Sequence, residues 1–79
     1  MNPLHSDTYQ YLLTLLREAR ASAQLTQTEL SQQLGKPQSF VSKYERGERR
    51  LDVIEFLEVA HRLGADPYVM LKKVEKQLP

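Results

Sequence analysis

The sequence predicts an all-α fold: a compact arrangement of five short helices in a single domain spanning residues 1–79. Three observations lead there. Apolar residues recur at helical spacing along most of the chain, and no stretch alternates convincingly at period two. Capping residues and glycines punctuate these stretches at short intervals. Finally, 79 residues leave room for one domain only. A chain of that size buries about 60% of its unfolded surface, so its core has to be small and helical.

The first six residues contain Pro3 and show no period, so residues 1–6 are read as a flexible start. Ser6 or Asp7 can cap the first helix, which covers about residues 8–22. Leu12, Leu15, Leu16, Ala19 and Ala23 form its apolar stripe, widened by Leu13, Tyr9 and Tyr11. The apolar surplus at its start is either an edge of the core or part of a subunit contact.

Residues 26–47 hold the two helices around which the rest is arranged. Thr26 can accept from the N–H of Glu29 while the Glu29 carboxylate reaches back to the N–H of Thr26, a capping box. Leu30 and Leu34 then lie one turn apart on one face. Gly35 can adopt the left-handed conformation that ends a helix, and Pro37 presets φ for a new first turn. The chain turns sharply and restarts, a helix-turn-helix layout closed by Gly47. In the second of these helices Val41 and Tyr44 share the inner face. Gln38, Ser39, Ser42 and Lys43 occupy the other side and the N-terminal end.

Asp52, with Glu55 three residues on, caps a fourth helix that runs to about Leu63. Its residues Val53, Phe56, Leu57, Ala60 and Leu63 are directed at the core, and Gly64 ends it. Asp66 caps and Pro67 opens a last helix within residues 66–78. There Tyr68, Leu71, Val74 and Leu78 fall on one side, while Lys72, Lys73 and Lys76 face water.

Composition narrows the function. With no cysteine, disulfides, thiolate catalysis and cysteine-ligated zinc are excluded. The chain has neither a signal-peptide pattern nor a ~20-residue apolar span, so no membrane contact is expected. His5 and His61 stand far apart in sequence with no paired acid or nucleophile, so the expectation is a non-enzyme without metal, cofactor or small-molecule ligand.

The net charge of +1 conceals an uneven distribution. Residues 1–35 and 51–79 each sum to −1, whereas Lys36, Lys43, Arg46, Arg49 and Arg50 outweigh Glu45 and Glu48 to give residues 36–50 a net +3. The implied partner is a polyanion, contacted from one side. A helix whose outer face offers amides, hydroxyls and cationic tips suits a major groove, where base edges are read by such groups.

The run resembles the helix-turn-helix family of phage repressors and Cro, also called the XRE family. The matching residues are Leu25-Thr26-Gln27, Glu29-Leu30, Leu34-Gly35, Gln38-Ser39, Val41-Ser42 and Tyr44-Glu45-Arg46-Gly47, followed by Leu57, Ala60 and Leu63-Gly64. They span roughly residues 12–65 at consistent spacing. The resemblance implies a repressor-like, sequence-specific DNA-binding transcriptional regulator that occupies double-stranded DNA in the cytoplasm, at the nucleoid.

It also implies roles for particular residues. Gln27 grips a phosphate and braces Gln38, which makes a bidentate contact with adenine. Ser39, Ser42 and Lys43 fall at the other groove-facing positions. Phe40 either lies against a thymine methyl or packs against the second helix or the loop. Lys36, Arg46, Arg49 and Arg50 are assigned to phosphates. Arg20 pairs with Glu45 as a partly buried clamp.

Two departures from the family pattern stand out. Pro37 replaces the serine or threonine that usually caps the reading helix, and Ser31 replaces an alanine at a tight helix crossing. If buried, the Ser31 hydroxyl is expected to find a backbone carbonyl.

One 79-residue module buries a modest DNA interface and natural operators commonly match two-fold symmetry, so a homodimer with reading helices about 34 Å apart is expected. The candidate contact is Tyr68, Leu71, Val74 and Leu78, together with Tyr9 or Tyr11. Repressor, activating controller and antitoxin remain open within the fold, beside a helical protein-interaction module that has lost DNA.

Overall fold

A computed structural model describes residues 6–79. The expected flexible start therefore lies outside the described residues except for Ser6, and His5 lies outside them altogether. The five helices are α1 (Asp7–Ser22), α2 (Gln27–Gln33), α3 (Phe40–Glu45), α4 (Val53–Arg62) and α5 (Pro67–Glu75). Among the described residues no helix is long and apolar enough to cross a membrane.

Each start has a local cause. Ser6, rather than Asp7, caps α1 by accepting from the N–H of Tyr9 at 3.2 Å. Both expected capping boxes are formed, Thr26 with Glu29 at 2.8 and 3.0 Å and Asp52 with Glu55 at 2.7 and 3.0 Å. Asp66 caps α5 through the N–H groups of Tyr68 and Val69. The exception is α3. It begins at Phe40 instead of Pro37, because the Pro37 carbonyl is taken at 2.9 Å by the N–H of Phe40, three residues on. Gln38 and Ser39 thus sit on a turn leading into the helix.

At the helix ends, Gly35 and Gly64 adopt φ of 67° and 70° with nothing within 4 Å of a hypothetical Cβ. The α1 end makes the same left-handed turn at Gln24, φ 59°, without a glycine. The N–H of Leu25 there returns to the Arg20 carbonyl at 3.3 Å, matching the bond from Ala65 to Ala60 after α4.

The core joins Leu13 and Leu16 of α1, Leu30 of α2, Phe40, Val41 and Tyr44 of α3, Phe56, Val59 and Ala60 of α4, and Met70 of α5. It corrects two expectations. Leu13 lies at the centre of the α1 face, fully buried, while Leu12, Leu15 and Ala19 pack around it only partly covered. Val53 is 72% exposed and Val59, unassigned from the sequence, is buried. Val53 has the helical spacing of Phe56 and Ala60, but a first turn is covered only where a neighbouring element reaches it. Ile54 beside it is likewise 64% exposed.

Packing of α1 on α3 and α5, of α2 on α3, and of α4 on α5 closes the structure. Tyr9 belongs to the core edge. It packs on the cluster and its phenol oxygen accepts from the N–H of Leu51 at 3.3 Å, fastening the α3–α4 loop to α1.

Candidate nucleic-acid interface

At the α2–α3 crossing Ser31 is fully buried. Its Oγ accepts from the Val41 N–H at 3.2 Å, so the hydroxyl meets a backbone donor and not the carbonyl expected from the sequence. With Val41 and Tyr44 anchored below, α3 turns its remaining side outward. Gln38, Ser39 and Lys43 are exposed and Ser42 is half-buried, its hydroxyl donating to the Ser39 carbonyl at 3.0 Å.

This ridge stands between two clefts. One is uncharged, lined by Gln27, Thr28, Gln38, Ser39 and Ser42. The other is cationic, lined by Lys36, Pro37, Ser39, Phe40, Lys43 and Arg49. Of the four base-reading candidates, Gln38 and Ser42 therefore face one flank, Lys43 the other, and Ser39 both. Thr28 joins this flank without a role assigned from the sequence. Its sequence signal is its place one residue after Gln27.

Below the uncharged cleft Glu45 joins three elements. It is 4% exposed and receives Arg20 at two points, Nε to Oε2 at 2.7 Å and Nη2 to Oε1 at 3.0 Å. Gln27 Nε2 donates to the same Oε1 at 2.8 Å, and Arg17 Nη2 donates to the Glu45 carbonyl oxygen at 2.9 Å. Arg20 also donates to the Leu25 carbonyl at 2.9 Å. The hydrogen bonds to Glu45 push the Arg20 pKa above its ordinary value. Arg17, unassigned from the sequence, sits one helical turn before Arg20, which is the spacing that signals it.

Gln27 does not brace Gln38 directly. No hydrogen bond joins the two among the described residues, although both line one cleft. With one N–H of its amide donated to Glu45, Gln27 retains a second N–H and its carbonyl for a ligand.

The phosphate candidates are not free-swinging charges. Arg49 is held in a two-point ion pair by Glu55, 2.9 and 2.7 Å, and its guanidinium lies 5.1 Å from the centre of the Phe40 ring. Arg46 pairs with Glu48, both well exposed. The Arg50 guanidinium stacks 4.2 Å above the Tyr9 ring, and Lys36 Nζ lies 5.6 Å from the Phe40 centroid. Lys36 and Lys43 have no carboxylate partner among the described residues.

Between the two readings of Phe40, the structure selects packing. The ring is 6% exposed within the core cluster, meets Tyr44 edge-on at 5.6 Å and has the Lys36 and Arg49 cations 5.6 and 5.1 Å from its centre. The Tyr44 phenol is buried without a hydrogen-bond partner among the described residues, and desolvation pushes its pKa up.

Far from this face, Tyr68, Leu71, Val74 and Leu78 line a shallow apolar groove edged by Lys72 and Glu75. Tyr68 and Leu78 are 70% and 60% exposed. Only Met70 of α5 turns fully into the core, and Thr8 Oγ1 ties α1 to the turn after α5 by donating to the Gln77 carbonyl at 3.2 Å. His61 is exposed beside Leu57 and Glu58, and no three His, Asp or Glu side chains converge among the described residues.

Comparison with known proteins places this geometry. The Helix-turn-helix family profile matches residues 16–69, more than half of the chain. A solved structure of an XRE-family like protein from Pseudomonas syringae pv. tomato str. DC3000 superposes with a TM-score of 0.85. It is 56% identical over 95% of this chain and 94% of that one. No curated protein matches the chain.

Proposed function

The chain belongs to the helix-turn-helix family, whose members are DNA-binding regulators and not enzymes, and from that premise we propose a sequence-specific transcriptional repressor acting as a homodimer on an inverted-repeat operator. The observation that carries this reading is the ridge formed by Gln38, Ser39, Ser42 and Lys43, exposed along its crest over a buried apolar underside and flanked by a polar and a cationic cleft.

In the bound state the ridge enters a major groove. Gln38 presents an amide suited to adenine N6 and N7, Lys43 a cation suited to guanine O6 and N7, and Ser39 and Ser42 supply hydroxyls between them. Glu45 orients Gln27, whose second N–H is directed to a phosphate. Lys36 contributes charge at once, whereas Arg46 and Arg49 do so by exchanging Glu48 and Glu55 for phosphate oxygens. Arg50 is assigned to a phosphate from beside Tyr9. These contacts set affinity and register, and the ridge sets sequence preference.

The second copy is placed on the α5 groove of Tyr68, Leu71, Val74 and Leu78. Lys72 and Glu75 on its rim allow a two-fold contact in which each cation faces the partner's acid. Repression follows from occupying DNA that polymerase needs.

Binding to random duplex at ~50 and ~200 mM salt tests the phosphate contacts, with a fall of orders of magnitude expected. Selection from a random pool should return an inverted repeat, and Gln38→Ala should relax one position of it by about 1–3 kcal/mol. Salt-independent binding or a pool without enrichment would reject the proposal.

A further inference from the structure

We infer that Ser31 is a positioning residue for base recognition, its hydroxyl fixing the start of α3 against α2. The inference rests on the DNA-reading function proposed above. A helix start leaves backbone N–H groups in need of acceptors, and α3 supplies none from its own side chains. Ser39 stands at the N-cap position with φ −84° and ψ 0° and makes no side-chain cap, and Pro37 has no hydroxyl to offer. The Phe40 N–H is satisfied by the Pro37 carbonyl. The Val41 N–H is satisfied by Ser31 Oγ, a cap delivered from the neighbouring helix at a point where both residues are fully buried and water does not compete.

Ser31 also closes α2, its carbonyl accepting from the N–H of Lys36 at 3.0 Å. One residue therefore holds the end of α2 through its main chain and the start of α3 through its side chain. Between those two bonds lies the turn bearing Gln38 and Ser39.

Ser31→Ala preserves the close helix crossing but strands the Val41 N–H in an apolar interior, which the chain relieves by shifting the first turn of α3. Bidentate base contacts depend on position to a fraction of an ångström, whereas contacts to phosphates made by long flexible side chains do not. Discrimination among sequences should fall while general DNA affinity holds.

Two measurements on the full chain test this. Amide hydrogen exchange followed by NMR should show the Val41 N–H exchanging about tenfold faster in Ser31→Ala, with the Leu16 and Val59 amides unchanged. Binding should show the wild-type-selected duplex held about fivefold more weakly and random duplex unchanged at the same salt. An unchanged Val41 rate, faster exchange at all three amides, or an equal loss for both duplexes would overturn the role. Should the wild-type chain select no duplex, the recognition role fails with the function, and the Val41 rate alone then decides whether the anchor exists.

Discussion

Glu45 and Arg20, 25 residues apart in sequence and on different helices, meet at two points, 2.7 and 3.0 Å. Because Glu45 is 4% exposed and also holds Gln27, this pair sets both the seat of α3 and the orientation of the Gln27 amide. Breaking a buried pair by removing one partner leaves an uncompensated charge. Glu45→Ala should therefore cost about 3 kcal/mol in urea unfolding, and an unchanged midpoint would reject the clamp.

Gln24 adopts φ 59° at a turn that three other helix ends make with glycine. A side chain in the left-handed region costs free energy that glycine avoids, partly offset by glycine's greater unfolded freedom. Gln24→Gly should stabilise the protein by about 0.5–1 kcal/mol. Thermal unfolding of the pair of proteins checks the sign.

The Tyr44 hydroxyl is desolvated without a partner among the described residues, so removing it should help the fold. Tyr44→Phe keeps the edge-on contact with Phe40 and should raise stability by about 1 kcal/mol. A loss of similar size in chemical denaturation would mean that the hydroxyl is satisfied after all.

Glu55 titrates at about 2, held there first by Arg49 and then by the Asp52 N–H. Against an unfolded value of about 4.3, its stabilising contribution is complete above that pH and fades as pH falls toward 2. Wild type should outlast Glu55→Gln in urea at pH 7. The gap should close between about pH 4.3 and 2, and a gap constant across that window would contradict the assignment.

Leu71 lies in the middle of the exposed α5 groove, 46% exposed, with no core role to lose. Leu71→Glu should leave the helical content intact and convert a dimeric sedimentation profile to a monomeric one. Equal masses for the folded variant and wild type would remove this surface from consideration.

The sequence by itself determined the five helices and most of their limits, because caps, helix-ending glycines and helical spacing act within a few residues: Thr26 with Glu29, Asp52 with Glu55, Gly35 and Gly64 all do locally what their types predict. It also marked out the outward ridge, since Val41 and Tyr44 fix the inner face of α3. Only tertiary structure decided matters that depend on what a neighbouring element reaches. It left Val53 exposed and Leu13 at the centre of the core, drew Phe40 inward, moved the start of α3 to Phe40, and gave the Ser31 hydroxyl a backbone N–H to accept from. Spacing along a helix defines a direction for each side chain, whereas burial and partnership require a second surface at the right distance, which periodicity does not encode.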